Sequence, residues 1–112
     1  MKFWHFSEMA YYPGWDELGD SLRNAIPSRV YDPELGADLY HRYLDEWVLC
    51  DELGLNIMVN EHHTTATCTT AVCTIPMAIF ARETKNARLL CLGMPIANRR
   101  DAVDRKSTRL NS

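Results

Sequence analysis

The sequence predicts an α/β fold built on a parallel sheet, and three observations carry that expectation. Short apolar runs of strand length occur near the N-terminus, at residues 55–60 and at residues 87–94. Between them lie segments whose apolar residues recur at helical spacing. The third observation is Glu61-His62-His63, which follows the middle run directly. A carboxylate and two imidazoles at the C-terminal end of a buried strand stand where α/β folds build their reaction chemistry. The order strand, helix, strand, helix, strand implies a parallel sheet with both faces covered.

The first strand is Met1 to Ser7, rich in aromatic residues. A long irregular stretch follows, punctuated by Pro13-Gly14, Pro27 and Pro33, with a short helix expected from Trp15 to Ala25. Between Asp38 and Leu53, the residues Tyr40, Tyr43, Leu44, Trp47 and Val48 recur at helical spacing, and Gly54 stands where a helix-terminating glycine belongs. Leu55 to Asn60 is too short for an ordinary helix and contains β-branched Ile57 and Val59, which makes it the second strand. From Cys68 to Glu83, Ala71, Val72, Ile75, Ala78 and Ile79 predict a second helix, which Pro76 must either kink or begin. Ala87 to Met94 is the third strand.

Composition sets modest bounds. The chain has 112 residues, 46% apolar and 24% charged, ordinary values for a globular domain. A net charge of −3 gives no reason to expect nucleic acid or an anionic membrane surface as a partner. No run reaches the length of a membrane span, and Lys2 leads into aromatic and polar residues rather than the apolar core of a signal peptide. Cys50, Cys68, Cys73 and Cys91 lie in or beside expected buried elements and include no C-x-x-C pair. Free thiols of a cytoplasmic protein are the expectation.

A single histidine after a strand is ordinarily a loop residue. Two adjacent histidines with a glutamate at a strand end shift the balance towards chemistry, and the neighbouring strands shift it further. Met1-Lys2-Phe3 leading into Phe6, the strand after Gly54 ending in Glu61-His62-His63, and a third strand ending in Met94-Pro95-Ile96-Ala97-Asn98-Arg99-Arg100 together resemble the bacterial luciferase-like flavin-dependent monooxygenases. The resemblance covers about residues 1–103. The segment from Tyr11 to Asp38 matches poorly, and Asn98, Arg99 and Arg100 depart from the luciferase pattern, which leaves substrate identity open.

The resemblance implies a (β/α)8 TIM barrel of roughly 250 residues or more, of which this chain would supply about three β/α units at the N-terminal side. It implies reduced FMN as cofactor, dioxygen and a small organic molecule as substrates, a flavin reductase as the source of reduced flavin, and a homo- or heterodimer at full length. His62 matches the histidine beside the flavin, where it would assist the activation of dioxygen and act as general base. Imidazole suits that work because its unperturbed pKa lies near neutrality. Glu61 would orient the imidazole from behind or face the barrel wall. Because side chains alternate along a strand, only one of His62 and His63 need face the site. Leu92, Gly93 and Met94 correspond to backbone laid against the flavin ring, often through a nonproline cis peptide. Phe6 would line the flavin or substrate cavity, though core packing explains it as well.

Three other readings stand beside this one. A deazaflavin-dependent oxidoreductase would share the fold. Glu61, His62, His63 and Cys68 could ligate zinc or iron in a small separate domain, although adjacent strand residues point apart and Cys68-x4-Cys73 is not a usual ligand pair. A noncatalytic interaction module would use the strands for another purpose. Finally, residues 104–112 read as the translation of a common sequencing adapter. They are expected to be a tail foreign to the fold, with the natural sequence continuing past Val103.

Overall fold

The computed structural model describes residues 1–22, 24–63 and 65–94. Strand β1 is Trp4–Phe6, α1 is Pro33–Glu52, β2 is Asn56–Val59, α2 is Thr74–Glu83 and β3 is Leu89–Cys91. Two 3-10 turns, Tyr12–Glu17 and Ser28–Val30, interrupt the connection between β1 and α1. The strands form one parallel sheet in the order β1-β2-β3, with His5 opposite Ile57 and Val59 opposite Cys91.

Both ends of α1 follow from local chemistry. Asp32 caps the N-terminus, its Oδ1 accepting the N–H groups of Glu34 at 2.9 Å and Leu35 at 3.2 Å. Pro33 follows at the first helical position, where no intrahelical N–H is needed. At the other end Gly54 takes φ +75°. Its N–H donates to Asp51 O and that of Leu55 donates to Cys50 O, the paired bonds of a Schellman motif. The helix therefore begins five residues before its apolar periodicity does.

The core lies on one face of the sheet. Ile57 and Val59 point from β2 into a cluster with Tyr43 and Trp47 of α1 and Met77 and Phe80 of α2. Trp47 sits edge-on between His5 and Phe80, with ring centroids 6.0 and 5.1 Å away. The expectation that both sheet faces are covered does not hold among the described residues. The strand order advances in one direction, so two crossovers of the same right-handed sense send both helices to the same face. Trp4, Phe6 and Leu90, on the other face, remain substantially exposed.

The helix expected from Trp15 to Ala25 is also corrected. Among the described residues of that segment, the 3-10 turn Tyr12–Glu17 forms instead, opened by Pro13 and followed by Gly19 at φ +62°. Gly14 is closely packed: a Cβ there would lie 2.9 Å from Ile26 Cδ1 and 3.1 Å from Ala66 Cβ, so those neighbours would have to shift. The second helix begins at Thr74 rather than Cys68, and Pro76 falls in its first turn and so opens its regular part. Residues 104–112, together with Asn98, Arg99 and Arg100, lie outside the described residues.

Candidate functional site

Parallel pairing brings the C-terminal ends of all three strands to one edge of the sheet. The two β-to-α connections leave from that edge and are laced to each other. Tyr11 N–H donates to Ala66 O at 2.8 Å and Thr69 N–H to Met9 O at 2.9 Å, while His62 N–H donates to Thr70 O at 3.2 Å within the second connection. The Thr70 hydroxyl reaches Met9 Sδ at 2.9 Å, and Tyr43 OH anchors the first connection from α1 by donating to Ala10 O at 2.8 Å. Met9 is buried and takes φ +53°, a left-handed conformation uncommon outside glycine. This turn fixes the direction in which the preceding residue, Glu8, leaves the strand.

Glu8 and Asn60 each follow a strand end, and the parallel register sets them opposite one another. Asn60 Nδ2 donates to Glu8 Oε1 at 3.1 Å. The same carboxylate oxygen lies 3.7 Å from His62 Nδ1. Glu61 is turned elsewhere: its Oε2 accepts the Cys73 N–H at 3.0 Å, and its Oε1 lies 3.7 Å from His63 Nε2. The Glu-His-His triplet thus divides into two pairs, Glu61 with His63 and Glu8 with His62. Buried Glu61 braces the first turn of α2, while His62 is half-exposed and turned to the loops.

His62 borders two cavities. One, of about 270 Å³, is walled by Tyr11, Ile26, Pro27, Tyr31 and Cys68. The other, of about 150 Å³, is formed with His63, Thr65 and Thr67. The Cys68 thiol has its pKa raised, chiefly by burial and further by the Glu8 charge. Cys73 is pushed up to about 12 by burial first, and then by its hydrogen bonds with Glu61 and Cys91. Both therefore remain protonated thiols at neutral pH and are poor nucleophiles. Within this group, His62 is the residue suited to proton transfer.

The positions assigned to cofactor contact sit at the same sheet edge. Phe6 ends β1, and Leu92 continues the pairing beyond β3 by donating its N–H to Val59 O at 2.6 Å. Phe6, Leu92 and Met94 are 43%, 44% and 40% exposed, which leaves apolar side chains open at the end of β1 and just past β3, on either side of β2. Gly93 has φ +70°, and a Cβ built there would meet nothing within 4 Å. No cis peptide occurs among the described residues, so Leu92–Gly93–Met94 is linked through trans bonds. Among the described residues, no group of three or more His, Cys, Asp or Glu side chains is arranged to hold a metal ion, which leaves the zinc or iron reading without a ligand set.

Glu8 carries no motif, and reading along the chain does not single it out. Its signal lies across the sheet: it follows Phe6 by two residues as Asn60 follows Met58, and Phe6 pairs with Met58. No helix among the described residues is long and apolar enough to cross a membrane. Comparison with protein-family models, with curated proteins and with solved structures returns no match to this chain.

Proposed function

We propose that these residues are the first three β/α units of a (β/α)8 barrel, the N-terminal part of a luciferase-like flavin-dependent monooxygenase. In this reading reduced FMN and dioxygen oxygenate a small organic substrate beside His62. The observation that carries it is the position of His62, just past the C-terminal end of β2 and at the rim of a largely apolar 270 Å³ cavity. A singly wound parallel sheet with helices on one face and an uncovered apolar opposite face is what a barrel segment requires.

Reduced flavin, when bound, supplies the electrons and the reaction with dioxygen. The protein supplies position, dryness and protons. Phe6, Leu92 and Met94 offer apolar contact and keep water from a ring laid over them, while Gly93 permits close backbone approach. His62 takes or returns a proton at the ring nitrogen facing the cavity. Glu61 secures the start of α2 and accompanies His63, a supporting role one step from the chemistry. Later strands would provide the phosphate grip, a flavin reductase would deliver the reduced cofactor, and a dimer is the expected full-length assembly.

The test is His62→Ala in the barrel-length protein. Oxygenation should fall by about 10²-fold or more, the lower end of a general acid–base contribution, with reduced-flavin binding retained. Unchanged turnover with normal flavin binding would reject the reading.

A further inference from the structure

We infer that Glu8, with Asn60 behind it, is the positioning residue of His62. The inference deepens the oxygenase reading and rests on it for the catalytic consequence, but the geometric claim stands apart from any cofactor. Glu8 Oε1 is fixed from one side by the Asn60 amide at 3.1 Å and faces His62 Nδ1 at 3.7 Å. Asn60 is itself buried, and its Oδ1 lies 3.9 Å from the Cys68 thiol, a weak contact that helps to set the amide's orientation. Met9 fixes the backbone that carries Glu8, and the His62 N–H···O Thr70 bond fixes the backbone that carries the ring.

A carboxylate at Nδ1 selects the tautomer that bears its proton there, because the partner of one imidazole nitrogen decides the state of the other. Nε2 is then left as the lone-pair nitrogen, the form a general base needs. At 3.7 Å the contact is longer than a hydrogen bond, and such catalytic contacts often tighten only when the ligand is in place. Glu61, the sequence neighbour, cannot do this work, since its carboxylate is committed to Cys73 N–H and lies against His63.

The experiment uses Glu8→Ala, Glu8→Gln and Glu8→Asp in the barrel-length protein, with ¹⁵N shifts of the His62 ring and steady-state oxygenation as paired readouts. His62 should hold its proton on Nδ1 in the parent and move towards the Nε2–H form in Glu8→Ala. Turnover should fall by about 10-fold or more with KM little changed, a loss smaller than that of removing the imidazole itself. Glu8→Asp should restore part of both, and Glu8→Gln, which keeps the shape, guards against a variant that fails to fold. An unchanged tautomer in folded Glu8→Ala, or undiminished turnover in Glu8→Gln, whose amide oxygen still accepts from Nδ1–H but carries no charge, with His62→Ala still losing turnover, overturns the inference and leaves the oxygenase reading intact. A tautomer that shifts while His62→Ala keeps full turnover upholds the geometry and removes the oxygenase reading.

Discussion

Asp51 illustrates how one buried carboxylate can hold a connection in place. Its two oxygens accept the N–H groups of Lys85, Asn86 and Ala87, tying the turn after α2 to the last turn of α1. The Lys85 N–H, followed by those of Asn86 and Ala87, holds its carboxyl below the usual aspartate range, against the upward push of burial. The folded pKa is therefore lower than the unfolded value of about 3.9. Such a group stabilises the fold fully above the unfolded pKa and loses that contribution as pH falls through the folded one. Asp51→Asn should lower the melting temperature at pH 7, and the gap from the parent should narrow as the pH is taken below about 3.9. Melts recorded at neutral and acid pH check this, and a gap independent of pH would refute it. Cys73 makes a second prediction at this scale. A thiol pushed up to about 12 and fully buried should resist alkylation at pH 8 until the protein unfolds. Mass spectrometry of labelled native protein decides that.

At the scale of elements, Gly36 of α1 is tightly constrained. A Cβ there would collide with the Tyr31 hydroxyl and ring, and Tyr31 walls the larger cavity beside His62. Gly36→Ala should push Tyr31 out of place and alter ligand binding, although alanine favours helix by about 1 kcal/mol over glycine. Gly54 gives the contrasting case. Open space surrounds its missing Cβ, so Gly54→Ala costs only the left-handed conformation, about 1–2 kcal/mol. Paired thermal melts and ligand titrations separate the two cases: Gly36→Ala, by displacing Tyr31 from Tyr11, acts on both stability and binding, Gly54→Ala on stability alone. The same contrast explains what could be read from the chain. Strand and helix order followed from apolar spacing and from Gly54, which are local signals. The start of α1 was missed because Asp32-Pro33 lies upstream of the periodicity. The segment 15–25 misled because Leu18 is buried while Trp15 and Leu22 stay exposed, so its large apolar residues share no buried helical face. His62 was legible from its place after a strand. Glu8 was not, because its partners Asn60 and His62 are more than fifty residues away and meet it only through parallel pairing.

For the molecule as a whole, the decisive property is the asymmetry of the sheet. Its helix-facing side is sealed, with Ile57, Val59 and Phe80 inaccessible to solvent. Its other side presents Trp4, Phe6 and Leu90 to water. Parallel sheets are stable when both faces are buried, and β1 and β3 each leave one edge unpaired among the described residues. Folding stability is only about 5–15 kcal/mol, and Trp4, Phe6 and Leu90, 38–43% exposed, forgo part of the about 1.5–3 kcal/mol that fully burying such a side chain contributes. Residues 1–112 expressed alone should therefore be poorly soluble or loosely folded and have no flavin-dependent activity. On the proposed reading, the Glu8–His62 pair of such a chain would have no bound cofactor beside it, because the phosphate grip of a barrel comes from its later strands. Circular dichroism through a thermal melt, with titration of reduced FMN, tests both halves of the expectation. A broad, shallow transition without saturable flavin binding is the predicted result. A sharp cooperative melt together with micromolar flavin binding would mean that the uncovered face is compatible with independent folding and that three strands suffice to hold the cofactor.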